Sequence, residues 1–161
     1  MKIVFFKNTC IAYQQDLQLV LPVKIRKQKI TRRFFYYFLV RSGNKILMTE
    51  RTSKGIWKGL YDFPLHEEKN PMNPEKILKK FFPEKGLSLE THSGGVISEE
   101  YKHILSHQVI RARFIQIIWP SAKTLPASLS ALNAAWHSIR QVEKLPKPAL
   151  ITRYLADHSI L

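Results

Sequence analysis

The feature that most constrains the fold of this chain is a run of aromatic and β-branched residues, TRRFFYYFLVR, at residues 31–41. Its apolar part, Phe34–Val40, fills both faces of an extended strand, which predicts a central strand covered on both sides. The same run is far too short for a bilayer, which needs about 20 residues. The SGN turn and the segment KILMTE that follow predict a second strand, and therefore a β-hairpin.

Downstream segments alternate between helical and extended patterns. NPEKILKKFF predicts a helix with Asn73 as its N-cap and Pro74 at its first position, ending near Pro83 and Gly86. GGVISEEYKHILSH and QVIRARFIQIIW predict two more strands. In the last of these, the two arginines share one face and the apolar residues the other.

The C-terminal segment SIRQVEKLPKPALITRYLADHSIL predicts one or two short helices, with Leu150, Tyr154 and Leu155 facing inward. This order of elements favours an α+β fold, a mixed β-sheet sandwiched by helices. We therefore expect two parts: a basic connector at residues 1–30 and a folded domain at residues 31–161.

The net charge of +14 is unevenly placed. Residues 1–33 carry eight basic side chains against one acidic, and the remaining residues carry eighteen against eleven. Half of the excess thus lies in the N-terminal fifth. Such a field favours polyanions, nucleic acid ahead of an anionic membrane surface, although a basic tail can also serve solubility alone.

Cellular location is constrained by the start of the chain and by its cysteine content. In MKIVFFKNTC, Lys7 interrupts the apolar stretch too early for the core of a signal peptide, so we expect no export and no membrane anchor. Cys10 is the only cysteine, which excludes an internal disulfide and suits a reducing cytoplasm. We expect a cytoplasmic protein that works as a monomer.

Residue pairs that suggest catalysis or metal binding do not have workable spacing. Ser106 and His107 are adjacent, so on an extended chain they point to opposite faces and form no nucleophile–base pair. His103 and His107 are four apart in a segment that resembles strand and turn, and no third His or Cys lies near them. We expect His103 to hydrogen-bond in the turn, and we expect no catalytic residue in this chain.

The acidic residues also argue against a magnesium-dependent phosphohydrolase. The pairs Glu67–Glu68 and Glu99–Glu100 are chain neighbours, which rarely converge on one ion. The predicted helix presents Lys76, Lys79 and Lys80, and a lysine-rich face repels a divalent cation. No metal site is therefore predicted.

Four segments, in order, resemble the C-terminal domain of the A/G-specific adenine DNA glycosylases, the MutY family. They are CIAY…LPVKIRKQKITRRFFYY, GIWKGLYDFPLHEE, YKHILSHQVIRARF and LPKPALITRYL, and they extend over roughly Cys10 to Leu155. The pattern GxWxGxxxFP also occurs in the wider Nudix fold, so the ordered set carries the resemblance. It implies a Nudix-like domain that recognises 8-oxoguanine opposite adenine in duplex DNA.

The resemblance implies a base-recognition turn in HILSHQ, with Ser106 bonding the modified base, His107 as its partner, and Leu105 where many members have Phe. A hydroxyl on a tight turn can donate or accept at a base edge, although an ordinary hairpin turn would use the same residues. We expect DNA phosphates to be bound by six basic residues: Arg51, Lys54, Lys58, Lys102, Arg111 and Arg113.

The glycine-rich segment is then mostly architecture, with Trp57 and Tyr61 packing. A hydrolase of this fold would carry Arg-Glu and then Glu-Glu ahead of a glycine. Counting back from Gly86, this chain has Lys79-Lys80 and Pro83-Glu84 in those places. The resemblance thus implies that the fold remains while the metal chemistry is gone.

A catalytic glycosylase domain precedes this region in the family, and it would be the partner of this chain. By match, Cys10 is the last of four cluster cysteines, but Met1 and Val4 stand where its nearest neighbours should be. We expect no cofactor here, and a [4Fe–4S] cluster only in that N-terminal region. A small Nudix-type hydrolase of oxidised nucleotides and a protein-interaction module stay open as alternatives.

Overall fold

The computed structural model describes residues 11–15, 30–81, 97–123 and 133–161. Its helices are α1 (Ile11–Gln14), α2 (Pro74–Phe81), α3 (Ile139–Lys144) and α4 (Ala149–Asp157). Its strands are β1 (Thr31–Ser42), β2 (Lys45–Glu50), β3 (Tyr61–Asp62), β4 (Leu65–Glu68), β5 (Tyr101–Ile104), β6 (Gln108–Ile118) and β7 (Ala134–Ser138). Most of the predicted connector, Cys10 included, lies outside the described residues, as do Pro83, Glu84 and Gly86.

Strand β1 is the centre of the sheet, as its sequence predicts. It pairs in parallel with β6 along nearly its whole length and antiparallel with β4 and β2 on its other side. All residues of Phe34–Val40 are buried. The predicted hairpin is also confirmed: β1 and β2 join through a turn in which Gly43 has a φ of 56°.

Alternate residues of β1 face two separate hydrophobic cores. Phe35, Tyr37 and Leu39 pack with buried residues of α3 and α4, on what we call the α4 face. The intervening side chains pack with Ile77 and Leu78 of α2, on the α2 face. Helices thus cover both faces of a mixed sheet, which confirms the α+β prediction.

The helix ends follow the sequence signals. Asn73 Oδ1 accepts the backbone N–H of Glu75 at 2.8 Å, and Pro74 begins α2 as predicted. Ser138 and Gln141 form a reciprocal capping box at the start of α3. Leu150, Tyr154 and Leu155 are buried in α4, as their spacing predicts.

Several strands differ from the sequence prediction. The short strands β3, β4 and β7 are absent from it, because each has at most five residues and is defined by its pairing partner rather than by its own pattern. In the predicted strand GGVISEEYKHILSH, the described part forms an isolated bridge at Ile97 and a ladder only over β5. Of the described helices, none combines the length and apolarity needed to cross a membrane.

Candidate nucleic-acid interface

The predicted base-recognition turn is the tip of an antiparallel hairpin. Strands β5 and β6 pair, and the N–H of Leu105 donates to the carbonyl of Gln108 at 2.8 Å. Ser106 and His107 lie between these residues and are exposed to solvent. Leu105 is half-buried and packs against the core of the α4 face. The two polar residues are therefore presented outward, while the leucine supports the turn from within.

Strand β1 supports the tip from one side. The N–H of Thr31 donates to the carbonyl of His107 at 3.0 Å. Arg33 donates to Gln108 Oε1 at 2.9 Å and forms a bidentate pair with Glu67 at 2.5 and 2.6 Å. The planar guanidinium makes such forked contacts in fixed geometry, which orders the strand ends at the base of the tip.

Helix α4 supports the hairpin from the opposite side. Tyr101 of β5 donates its hydroxyl to Asp157 at 2.9 Å. Partial burial, and to a lesser extent the Asp157 carboxylate, raises the pKa of Tyr101 to about 12. The hydroxyl therefore keeps its proton and acts as a donor. Arg153 lies over the same ring at 5.3 Å and donates to the carbonyl of Lys102 at 3.1 Å. The edge strand β5 is thus tied to the helix.

The glycine-rich loop at residues 51–60 packs against the hairpin through one aromatic residue. Trp57 adopts a φ of 63°, which is rare for a bulky side chain and marks a constrained backbone. Its ring meets Phe35 edge-on at 6.2 Å and His103 at 5.5 Å. His103 therefore makes a ring contact, where the sequence suggests a hydrogen bond in the turn. Burial, and then Arg153, lowers its pKa.

The six predicted phosphate-binding residues fall into separate groups. Lys102 is paired across strands with Arg111, and both face the α2 side of the sheet together with Arg113. Lys54 and Lys58 are exposed on the glycine-rich loop, which packs on the α4 face. The hairpin tip lies at the border between the two faces.

The remaining member of that set, Arg51, points inward. Its guanidinium bonds Asp62 at 2.7 Å, and the side chains of Arg51 and Asp62 are 17% and 2% exposed. Burial raises the pKa of Asp62 to about 6, against the opposing effect of Arg51. This pair lies in a cavity of about 380 Å³ that Glu50 and Glu67 also line. Glu67 pairs with Arg33, so two of the three acidic residues that line the cavity, Asp62 and Glu67, already have arginine partners.

The helix position that the resemblance assigns to a metal-binding glutamate is occupied by a lysine ion pair. Lys80 Nζ lies 3.6 Å from Glu68 Oε1, and His66 Nε2 lies 2.9 Å from the same oxygen. The hydrogen bond from His66, more than the charge of Lys80, lowers the pKa of Glu68. Within the described ranges, no three His, Cys, Asp or Glu side chains converge as a metal site would require. The carboxylate of Glu68 thus has both Lys80 and His66 as partners.

Sequence reasoning finds the tip but misses what holds it. Arg33 and Glu67 are 34 residues apart, and no local pattern links them. The exposure of Ile104 is also missed, since isoleucine in a strand normally indicates a buried position. A periodicity signal did exist for Ile104, because it alternates with Tyr101 and His103, which face the core.

A mixed sheet with helices packed on both faces and a glycine-rich loop after the first hairpin is the arrangement of a Nudix-type domain. The NUDIX domain model matches residues 36–157, and the chain belongs to this family. It is 24% identical over 92% of its length to the adenine DNA glycosylase of Buchnera aphidicola subsp. Baizongia pistaciae, and spans 39% of that protein. The resemblance drawn from the four segments is thereby confirmed.

Solved structures show the same fold. The C-terminal domain of mouse MUTYH, solved in complex with human PCNA, aligns with a TM-score of 0.52 and 16% identity, over 79% of this chain and 89% of that one. The MutT protein from Methanosarcina mazei aligns with a TM-score of 0.54 and 16% identity, over 83% and 98%. The fold therefore accommodates both kinds of protein and does not choose between them.

Proposed function

We propose that this domain binds duplex DNA and recognises 8-oxoguanine mispaired with adenine, as the C-terminal domain of an A/G-specific adenine glycosylase. The observation that carries the proposal is the exposed tip at Ser106 and His107, which is fixed by β1, β6 and α4 and flanked by cations. The similarity to curated adenine DNA glycosylases supports it.

The chemistry of the tip suits the recognition of a base edge. The Ser106 hydroxyl donates one hydrogen bond and accepts others, so it can pair with either a carbonyl or an N–H group. Oxidised guanine differs from guanine in such groups at its major-groove edge, where direct recognition is most informative. A tip tied down on several sides loses little conformational entropy when it binds, which favours selectivity.

In this proposal, the separate glycosylase domain extrudes and excises the adenine, because chemistry on a base requires taking it out of the stack. The present chain supplies mispair selectivity and grips the lesion strand. It works as a monomer in the cytoplasm, without a catalytic group, metal ion or iron–sulfur cluster of its own. Binding by the isolated domain is weak, mostly electrostatic and salt-dependent.

The test is a fluorescence anisotropy titration of the chain against duplexes that contain 8-oxoguanine:A, G:A or G:C, with an adenine-release assay on the same sample. We expect the tightest binding to the first duplex and no release of adenine. Absence of duplex affinity even at low salt would contradict the proposal and favour a protein-interaction module instead.

A substitution at the tip isolates the recognition step. Ser106→Ala is expected to reduce the preference for 8-oxoguanine over guanine by roughly ten-fold, as for one lost hydrogen bond to a base, while overall duplex affinity changes little. Ser53→Ala, an exposed serine on the glycine-rich loop, is the matched control. Equal preference in the Ser106→Ala variant and the parent would refute the assigned role.

A nucleotide hydrolase is the second candidate, favoured by the MutT-like fold and by the cavity that holds Asp62. It predicts magnesium-dependent release of pyrophosphate from 8-oxo-dGTP that is lost in Glu84→Gln. We expect no turnover, because Lys80, which by the resemblance stands at a signature glutamate position, pairs with Glu68 instead. Turnover with that mutational signature would replace the recognition proposal.

A further inference from the structure

Two isoleucines flank the hairpin tip and are unusually open to solvent. Ile104, the last residue of β5, is 67% exposed, and Ile30, directly before β1, is 60% exposed. Ile30 adjoins the tip because the next residue, Thr31, donates to the carbonyl of His107. Exposing such side chains beside a constrained turn is costly unless a partner covers them.

The strand register places Ile104 within a mixed apolar and basic surface. Arg32, Val109 and Ile104 form one row across β1, β6 and β5. The next row on the same face contains Arg111 and Lys102 beside Phe34. Neighbouring strands are about 4.8 Å apart and successive rows about 7 Å apart, so these side chains are immediate neighbours. We call Arg32, Lys102, Ile104, Val109 and Arg111 the wedge patch.

We propose that the wedge patch receives the DNA duplex next to the base that the tip inspects, with Ile104 as the apolar wedge against a base step. The inference rests on the proposed function and assigns its contact surface. Three cations surround the apolar centre, Arg32, Lys102 and Arg111, and Glu100 pairs with Arg111 at 3.3 Å. The surface keeps a net positive charge, which suits a polyanion better than an apolar protein face. Proteins that unstack a base step use the same combination of aliphatic wedge and flanking cations.

Leu105 does not fill this role, although by the resemblance it stands where many members of the MutY family have Phe. Its side chain packs against the core of the α4 face, whereas Ile104 points to the α2 face beside the exposed hydroxyl of Ser106. The lysines of the glycine-rich loop belong to the α4 side. The inference therefore predicts that DNA lies on the α2 face and that Lys54 and Lys58 contribute little.

The apolar part of the inference is tested with Ile104→Ala against Ile118→Ala, a 46% exposed isoleucine at the far end of β6. Ile104→Ala should weaken binding to the 8-oxoguanine:A duplex by roughly ten-fold, as expected for losing buried aliphatic carbons. The salt dependence should not change. A 2-aminopurine base placed beside the lesion should rise in fluorescence when the parent chain or Ile118→Ala binds and unstacks it. Binding of Ile104→Ala should not produce this rise.

The charged part is tested with Lys102→Ala and Arg32→Ala against Lys54→Ala and Lys58→Ala. Each patch variant should lower the slope of log affinity against log salt by about 1, and each loop variant should leave it unchanged. Loop lysines that changed the slope as much as patch residues would overturn the inference. Ile104→Val, which keeps a β-branched side chain, should give a smaller loss than Ile104→Ala and guards against misfolding of the alanine variant.

The outcomes distinguish failure of the proposed function from failure of the wedge-patch inference alone. A parent chain that binds no duplex refutes the proposed function and this inference with it. A parent chain that prefers 8-oxoguanine:A while Ile104→Ala behaves like Ile118→Ala refutes the inference alone. Loss of affinity and of the 2-aminopurine signal only in the patch variants supports both.

Discussion

At the residue scale, two acidic side chains of this domain have cationic partners, Asp62 and Glu68. Asp62 is 2% exposed and paired with Arg51, so its carboxylate is engaged inside the molecule. Lys80 pairs with Glu68. A metal would have to displace a cation from at least one of these acids. Both acids therefore already have cationic partners within the domain.

Asp62 carries a testable pH dependence. Burial raises its pKa from 3.8 to about 6, so between these values the folded chain holds a proton more tightly than the unfolded chain. This stabilising contribution is complete below pH 3.8 and is lost as the pH rises through 6, by up to about 3 kcal/mol. In urea unfolding, the free energy of unfolding of the parent minus that of Asp62→Asn should fall as the pH rises from 3.8 to about 6. Glu143→Gln, an exposed control, should show no such trend.

At the scale of elements, local sequence patterns predict the long strands and helices, whereas pairing between distant residues determines the short strands. The aromatic run predicts β1, and the Asn-Pro cap predicts the start of α2, because both signals are contained in a few neighbouring residues. Strand β7 exists because β2 offers it a partner about 90 residues away, which no local pattern encodes. The tip is predictable as an exposed turn, but its supports are not, because Glu67 and Asp157 lie far from it in the sequence.

The anchoring of β5 by α4 predicts local stability at the tip. Tyr101→Phe removes the hydrogen bond to Asp157 and leaves the ring in place. Losing about 1 kcal/mol of local stabilisation should speed hydrogen exchange at the Leu105 amide by about five-fold. Tyr61→Phe, which removes a longer bond to Glu50 at 3.3 Å, is the control and should leave that amide unchanged. Unchanged exchange in Tyr101→Phe would mean that the helix does not hold the hairpin.

At the scale of the whole molecule, the proposed function assigns attraction of DNA and selection of the base to different regions. The net charge of +14 attracts any polyanion, and its densest part is the basic segment before β1. Within that segment, four cations lie close together in the sequence and form what we call the N-terminal basic cluster: Lys24, Arg26, Lys27 and Lys29. Selectivity, by contrast, requires a fixed geometry, which the sheet and α4 provide at the tip.

This division predicts that affinity and selectivity respond separately to mutation. Replacing the whole N-terminal basic cluster by Gln should weaken all three duplexes by the same factor and flatten the salt slope, because fewer counterions are released on binding. The ratio of affinities for 8-oxoguanine:A and G:C should stay as in the parent, since the proposed function assigns this ratio to Ser106. Replacing four exposed lysines elsewhere by Gln, Lys45, Lys69, Lys123 and Lys144, controls for the same loss of net charge. A change in the affinity ratio on neutralising the cluster would place base selection outside the tip and contradict the division.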